Sequence, residues 1–527
     1  MRQLALFLSF SVGFLSLSQE ILWVRLVSFS QAGRPHAFPT VLAPFLVGIA
    51  LGANIGRILC AKSSNLLRTA AYVLLISSVI DFGALYVAPQ LLVGQSANPS
   101  WQLLNLAMLI ALTAGLKGML FPIVHHLGTT TKAGYIGRSV SYVYLGNVIG
   151  SSLGPIVIGF WLLDRIDFES AYALIGTLAA VVGGIALIAS SSYPRGALLA
   201  AMVAMTTGVY LTILPPDVIR TIANTPTLGG QIKHIIQNKH GIIHVAAEDP
   251  PRDGGDYTYG GNVYDGRINV DMSVNSNGLD RAYLMALLHP DPRRVLIIGL
   301  STGAWTRAIA GFPGVESIDV IEINPGYLDL IRDYPEVSPI LDDPRVHIHI
   351  DDGRRWLRAH PDERYDLVFQ NTTYHWRAYS TLLLSVEYLR EAKNHLYPGG
   401  IIATNTTRSL DVYRTALEVF PYASRYRGFV YMSDNPLVKR PDAEMVLRQC
   451  QVGETPAFTD KLLSGDGIGY KLINGRLEPA QEVLNSSQTL DSVRVISDMN
   501  LIPEYRHGQP SPFPWLRPFL PPTPLGN

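Results

Sequence analysis

Residues 294–303 read RVLIIGLSTG: a basic start, four apolar residues (Val295–Ile298), then a turn that opens and closes on glycine. An apolar run this short, three of its four residues β-branched and stopped by glycine, fits a buried strand better than a helix. Working outward, the pattern returns in SIDVIEI (317–323), VHIHI (346–350), YDLVFQ (365–370) and GIIATN (400–405). Helical segments fall between them, near 303–310, 325–333, 354–359 and 382–396. Short buried strands alternating with helices predict a mostly parallel, doubly wound α/β sheet. We expect this domain over 291–470, after a linker and small β-region over 216–290. Within that region YTYGGNVYDGRINVDM (257–272), with its Gly260-Gly261 and Asp265-Gly266 turn pairs, reads as a hairpin. A tail over 471–527 closes the chain, ending in the Pro-rich run PSPFPWLRPFLPPTP (510–524).

The front of the chain is of another kind. Residues 1–215 hold 16 of the 84 charged residues, 11 basic and 5 acidic, so the first part is net +6 and the rest net −6. About a quarter of the residues in a soluble domain are charged, which this segment falls far below. Seven apolar stretches, roughly 4–24, 38–60, 69–89, 101–124, 143–163, 170–191 and 196–215, approach the ~20 residues that cross a bilayer as a helix. They predict a multi-pass helical membrane domain of about seven helices over 1–215. A single soluble globule, a disordered chain and a basic nucleic-acid binder are excluded. With two cysteines, Cys60 and Cys450, so are a disulfide framework and a cysteine-held zinc site, and no metal is expected.

Two spans carry glycine ladders, Gly48-Gly52-Gly56 and Gly146-Gly150-Gly154, whose spacing lets helix backbones approach closely in lipid. Asp81 and Lys117 are costly inside spans, and pairing with each other relieves that cost. Glu20 and Arg25 suit an interfacial position. With the N-terminus inside, Arg57, Lys62, Arg68, Lys117, Lys132, Arg138 and Arg195 all lie on the cytoplasmic side. Seven spans would then place the α/β domain outside; if that domain uses a cytosolic cofactor, either the span count or this orientation is wrong. The expectation is a multi-pass protein of the cell (inner) membrane, its α/β domain in the cytoplasm, with the charge bias arguing the other way.

Three features at strand C-terminal ends carry the chemistry. The turn Gly299-Leu-Ser301-Thr-Gly303 lets backbone come close to a ligand. Glu322, ending the second strand, stands where an acid can bind both hydroxyls of a ribose. Asp351-Asp352-Gly353 follows the third strand, where a carboxylate can accept from an adenine amino group. Together they read as an adenosine pocket. The same turn satisfies G-x-S-x-G, the nucleophile elbow of α/β-hydrolases, but no well-placed acid and histidine follow at strand ends, and Glu322 and Asp352 would go unexplained.

The segments YDGRIN, RVLIIGLSTG, VESIDVIEINPGYLDLI, DDPRVHIHIDDGRRWL, RYDLVFQ and LYPGGIIATN resemble the spermidine synthase (polyamine aminopropyltransferase) family over about 255–435. The front part, with SQEILWVRL and FLVGIALGANIGRIL, resembles its membrane-integral bacterial members, described as fused transporter–spermidine synthases. The resemblance implies a small β-domain before a methyltransferase-type Rossmann domain. The co-substrate would be S-adenosylmethionine or its decarboxylated form, methylthioadenosine the by-product, and no cofactor would be tightly held. It carries Glu322 onto the ribose-binding acid, Asp352 onto the adenine-contacting acid, and Gly299 and Gly303 onto the glycine turn, where Ser301 or Thr302 replaces the family's Asp. Asn269 falls near the family's glutamine, and Asp271 and Asp280 near its acidic lid region.

The family's base, an Asp ending the fourth strand, is here Gln370, and the Asp three residues on is Thr373. Neither side chain takes a proton at neutral pH. Ordinary spermidine synthesis is therefore expected to be weak, with Tyr374 or His375 serving instead and Arg377 suiting a carboxylate on donor or acceptor. Three functions follow: aminopropyl-type transfer to an unusual acceptor that the sequence does not identify; methyl transfer, or lyase or cyclase chemistry without an acceptor; or a non-catalytic nucleoside sensor on a membrane domain. The expected partners are the lipid bilayer, a small-molecule substrate and a second copy of the chain in a homodimer, with no nucleic acid.

Overall fold

The computed structural model describes residues 2–93, 99–130, 135–190, 195–225, 230–248, 253–371, 374–486, 493–500 and 502–505. The Pro-rich run 510–524 and Thr373 therefore lie outside the described residues. The chain divides into two compact units, one of residues 1–32, 36–223 and 237–241, the other of 33–35, 224–236 and 242–527.

The first unit is built on seven helices: α1 (Arg2–Ser30), α2 (Ala37–Lys62), α3 (Leu66–Leu92), α4 (Pro99–Gly128), α5 (Ile136–Ile156), α6 (Phe168–Ala189) and α7 (Arg195–Ile213). Asn65 and Asp167 start α3 and α6 by accepting from the Arg68 and Ser170 amides, at 3.1 and 2.7 Å. Six of the helices are long and apolar enough to cross a membrane, and the seventh has a shorter apolar stretch, Leu198–Ile213. The difference from the expected seven spans falls on that last helix. Even so, α7 runs back along α6: the Ser170 hydroxyl donates to the Thr212 carbonyl at 3.2 Å, and Ala180 packs with Ala201 and Ala204.

The glycine ladders are packing surfaces. Gly48, Gly52 and Gly56 abut the main chain of α4 at Ala111, Gly115 and Met119, and Gly150 and Gly154 abut α1 at Phe10 and Phe14. On its other side α2 exposes Leu46, Val47, Leu51 and Ile55, an apolar exterior suited to lipid. Inside the unit Lys117 Nζ meets Asp81 Oδ2 at 2.8 Å, and Gln19 Nε2 donates to Asp81 Oδ1 at 2.6 Å, so the two charges pair as their cost requires. Arg25 donates to the Asn238 and Gly241 carbonyls at 2.7 and 3.1 Å, holding residues 237–241 to this unit.

After the short α8 (Val218–Ile222), the strands β1 (Ile232–Asn238), β2 (Gly241–Ala246), β3 (Tyr257–Gly260) and β4 (Val263–Arg267) form a sheet in that order. It is larger than the expected hairpin, because residues 232–246 pair as well. Helix α9 (Asp280–Leu288) leads into β5 (Arg294–Ile298), α10 (Ala304–Ala310), β6 (Ser317–Glu322), α11 (Gly326–Arg332), β7 (Val346–Ile350), α12 (Gly353–Ala359) and β8 (Tyr365–Gln370). Then follow α13 (Val386–Asn394), β9 (Leu396–Asn405), α14 (Leu410–Val419), β10 (Tyr422–Tyr426), β11 (Phe429–Ser433), a hairpin of β12 (Gln451–Val452) with β13 (Thr455–Pro456), and β14 (Glu478–Pro479).

The main sheet has eight strands in the order β14-β10-β11-β9-β8-β5-β6-β7. Strands β9, β8, β5, β6 and β7 run parallel, and β11, β10 and β14 add an antiparallel edge. Alternate residues of β5 feed opposite cores: Val295 and Ile297 pack with α9, α10 and α11, while Leu296 and Ile298 pack with α12, α13 and α14. That two-sided burial is why the run is apolar throughout. The chain leaves β5 towards β6 and β7, then returns to pair β8 on β5's other side. The strand order thus reverses between β5 and β8, a place where doubly wound sheets bind ligands.

Candidate active site

The glycine turn sits at that reversal. Gly299 and Gly303 have φ of 92° and 77°, and Ser301 between them has 49°. Gly303 begins α10 in the left-handed region, and a Cβ there would press on Ile340 and Ile331. Glu322, at the end of β6, spans the turn: its Oε2 accepts from the Leu300 amide and its Oε1 from the Asn324 amide, each at 2.8 Å. Burial pushes its ionisation up to about 7 and nearby Asp265 pushes the same way, while the backbone donors oppose both. Asp352 is exposed, and its Oδ1 caps α12 by accepting from the Arg355 amide at 2.9 Å.

Asp265, on β4, is the acid that sequence reasoning passed over, although it stands inside the quoted YDGRIN. Tyr327 Oη donates to its Oδ2 at 2.5 Å, and Ser301 Oγ donates to its main-chain carbonyl at 2.9 Å. Burial pushes its carboxyl up to about 6, against the Tyr327 and Ser301 hydrogen bonds and the charge of Arg377. Asp265 borders a cavity of about 360 Å³ together with Arg281, Trp305, Asn371, Tyr374 and Asn405. The cavity gathers the ends of β8 and β9, the segment 275–281 before and into α9, and β4 of the small sheet.

Of the residues expected to act, Tyr374 and Ser301 reach this neighbourhood. Tyr374 lines the cavity, and burial raises its ionisation, which keeps it a phenol at neutral pH. Burial lowers the ionisation of Arg377 and the charge of Asp265 opposes that, and the Arg377 guanidinium passes beside Gly33 and Gly261. His375 is buried, with Nδ1 2.5 Å from Thr407 Oγ1, and it is Thr407 that borders the cavity. Gln370 is fully buried: Nε2 donates to the Leu383 carbonyl at 2.7 Å and Oε1 accepts from Tyr388 Oη at 2.6 Å. It braces strand β8 against α13 and does not line the cavity.

Asn269 closes a local turn, donating to the Asp253 carbonyl and accepting from the Asp271 amide, at 2.7 and 2.8 Å. Asp271 caps Ser273, and Asp280 accepts from Asn275, Tyr426 and Arg427. Arg281 and Arg427, which also line the cavity, carry no sequence signal of their own; spacing along the chain does not bring them to one place. Among the described residues no group of three or more His, Cys, Asp or Glu is placed to hold a metal.

Part of the chain is similar to known proteins. Residues 282–417 match the spermine/spermidine synthase domain. The chain is 40% identical over 87 residues to a polyamine aminopropyltransferase of Agathobacter rectalis, covering 16% of this chain and 30% of that protein. It is 28% identical over 220 residues to one of Lachnospira eligens, covering 37% and 75%, and 27% identical over 285 residues to polyamine aminopropyltransferase 2 of Streptomyces coelicolor, covering 51% and 49%. The match thus spans from 30% to 75% of these relatives' own length. Among solved structures, a spermidine synthase from Thermotoga maritima covers 44% of this chain and 86% of its own, at 17% identity and a TM-score of 0.33.

Proposed function

We propose that the α/β unit is a transferase that binds an adenosyl sulfonium compound, S-adenosylmethionine or its decarboxylated form, and passes its aminopropyl-type group to an acceptor in the cavity. The observation that carries the reading is Glu322 bridging the glycine turn at the strand reversal, with the cavity alongside at the ends of β8 and β9. Glu322 would take the ribose hydroxyls, and exposed Asp352 at the end of β7 the adenine amino group. In the reaction an acceptor nitrogen lone pair attacks the carbon beside the sulfonium sulfur. The C–S bond breaks, its electrons neutralise the sulfur, and methylthioadenosine leaves.

The nitrogen must shed a proton, and Asp265 is the group we assign to take it. It borders the cavity and carries a carboxyl whose ionisation lies near 6, within reach of neutral pH. Gln370 then needs no catalytic part, and its amide serves the fold. Calorimetry with both sulfonium compounds tests the donor site: Glu322→Gln and Asp352→Asn should each weaken binding about ten-fold or more, as loss of a charge-assisted hydrogen bond does. Unchanged affinity in both variants overturns the assignment.

The helical unit would anchor this enzyme in the cell membrane. Its basic residues Arg57, Lys62, Arg68, Arg138 and Arg195 belong to the helix ends that share a face with the N-terminus, which the charge bias of membrane proteins places in the cytoplasm. With α7 returning along α6, the chain leaves the seventh helix on the opposite face.

A further inference from the structure

The charges around the cavity are not those of a site for a polyamine. A diamine acceptor brings one amine to react and a second, protonated one that needs an acid. Among the described residues Asp265 is the one carboxylate bordering the cavity, and its place in the reaction is already taken by the attacking nitrogen. Asp280, one residue before Arg281, does not border it. The Asp280 carboxylate accepts from Asn275 Nδ2 at 2.7 Å, Tyr426 Oη at 2.8 Å and Arg427 Nε at 3.0 Å, which also neutralises Arg427.

Arg281 is different. Its Nε and Nη2 donate to the main-chain carbonyls of Gly278 and Asn277, at 2.9 and 3.0 Å, and it has no carboxylate within ion-pair distance among the described residues. Its guanidinium lies 4.8 Å from the ring centres of both Trp305 and Phe429, and Gly278, with φ of 66°, leaves the room that a Cβ would take from it. Rings and carbonyls thus hold a half-buried cation at the cavity wall, with the charge of Asp280 favouring it from beyond ion-pair distance. The rest of the wall is mostly neutral: the amides of Asn275, Asn277, Asn371 and Asn405 donate and accept without charge. A fixed guanidinium in such a setting matches a carboxylate, and its planar fork can bind one through two parallel hydrogen bonds.

We infer that the acceptor is an amino-carboxylate, its anionic end held by Arg281 and its amine presented to Asp265, and not a polyamine. The inference rests on the proposed transferase reading and names its second substrate class. It makes Arg281 a specificity-determining residue and places the acceptor amine across a cavity of about 360 Å³, at the small end of the range for small-molecule sites.

The test uses two compounds of one carbon skeleton, 4-aminobutyrate and 1,4-diaminobutane, with the purified full-length protein in detergent. Calorimetry should give about ten-fold or tighter binding of the amino acid. Mass spectrometry with each sulfonium donor should show its transfer product and released methylthioadenosine in excess over those from the diamine. Arg281→Gln should remove the preference and raise KM for the amino acid about ten-fold while leaving donor affinity unchanged, and Arg281→Lys should keep part of it. Equal or tighter binding of the diamine by the wild-type protein overturns the inference, as does an Arg281→Gln variant that folds and keeps the wild-type preference. If neither sulfonium compound binds, the transferase reading falls; the amino acid and diamine affinities still decide the charge preference of the cavity.

Discussion

At the scale of the residue, the site turns on which acid does what. Desolvation pushes the carboxyls of buried Glu322 and half-buried Asp265 up towards neutrality, but Glu322 is tied by two backbone amides and Asp265 borders the cavity. Asp265→Asn should therefore cut turnover by about 10²–10⁴ and leave donor affinity nearly unchanged. The base must be ionised, so wild-type kcat should rise with pH through about 6 and the variant should lack that inflection. The stability sign is opposite. The Asp265 carboxyl is raised from 3.8 to about 6 on folding, so its favourable contribution is complete below about pH 4 and lost as pH rises through 6. Thermal unfolding of Asp265→Asn should lose that part of the slope. An inflection in kcat that survives the substitution removes Asp265 from the mechanism. Gln370 shows the limit of reading one position at a time: its identity reported a missing base, but only its contacts with Leu383 and Tyr388 show that the side chain has a structural task.

At the scale of the element, the turn after β5 is what lets the site exist. Its left-handed residues bring the Leu300 amide to Glu322 and the Ser301 hydroxyl to Asp265, so one short segment ties both acids to the sheet. Gly303→Ala meets an unfavourable φ and the side chains of Ile340 and Ile331 together, and should cost about 1–3 kcal/mol. Thermal unfolding in detergent reads this directly, and an unchanged Tm would mean the turn tolerates a side chain. The strands of this region were legible because burial on both faces leaves an apolar run, and the helices between them because strand spacing demanded crossovers. Strands β1 and β2 were not anticipated, although IKHIIQN and GIIHVA flank a short polar turn, since partial burial leaves little periodicity in β1.

At the scale of the whole molecule, seven crossings would carry the chain to the face opposite its N-terminus, and six would return it to the same face. With the N-terminus in the cytoplasm, a cysteine placed in the exposed turn at Gly465, with Cys60 replaced by serine, should react with a membrane-impermeant maleimide in intact cells. Labelling only after the membrane is opened would mean an even number of crossings, with α7 lying along the membrane without passing through it. The first result would require the sulfonium donor to be available outside the cytoplasm, so the same experiment bears on the compartment in which the transferase works.

The sequence alone determined what depends on near neighbours and on solvent. It separated an apolar helical part from a charged α/β part, because water and lipid sort residues by composition. It ordered the strands and helices, because burial imposes a period, and it marked Glu322, Asp352 and the glycine turn, because each lies at a strand end set by that order. Tertiary structure decided the rest. The position of the sheet reversal depends on which strand pairs with β5, and β5 and β8 are 72 residues apart at their facing residues Ile298 and Gln370, with two other strands between them in the chain. Asp265, Arg281 and Arg427 come from β4, α9 and the turn between β10 and β11, and meet only when the small sheet and the large one close around one cavity. Their roles follow from desolvation and from which partner each charge has found, quantities that no local pattern of residues encodes.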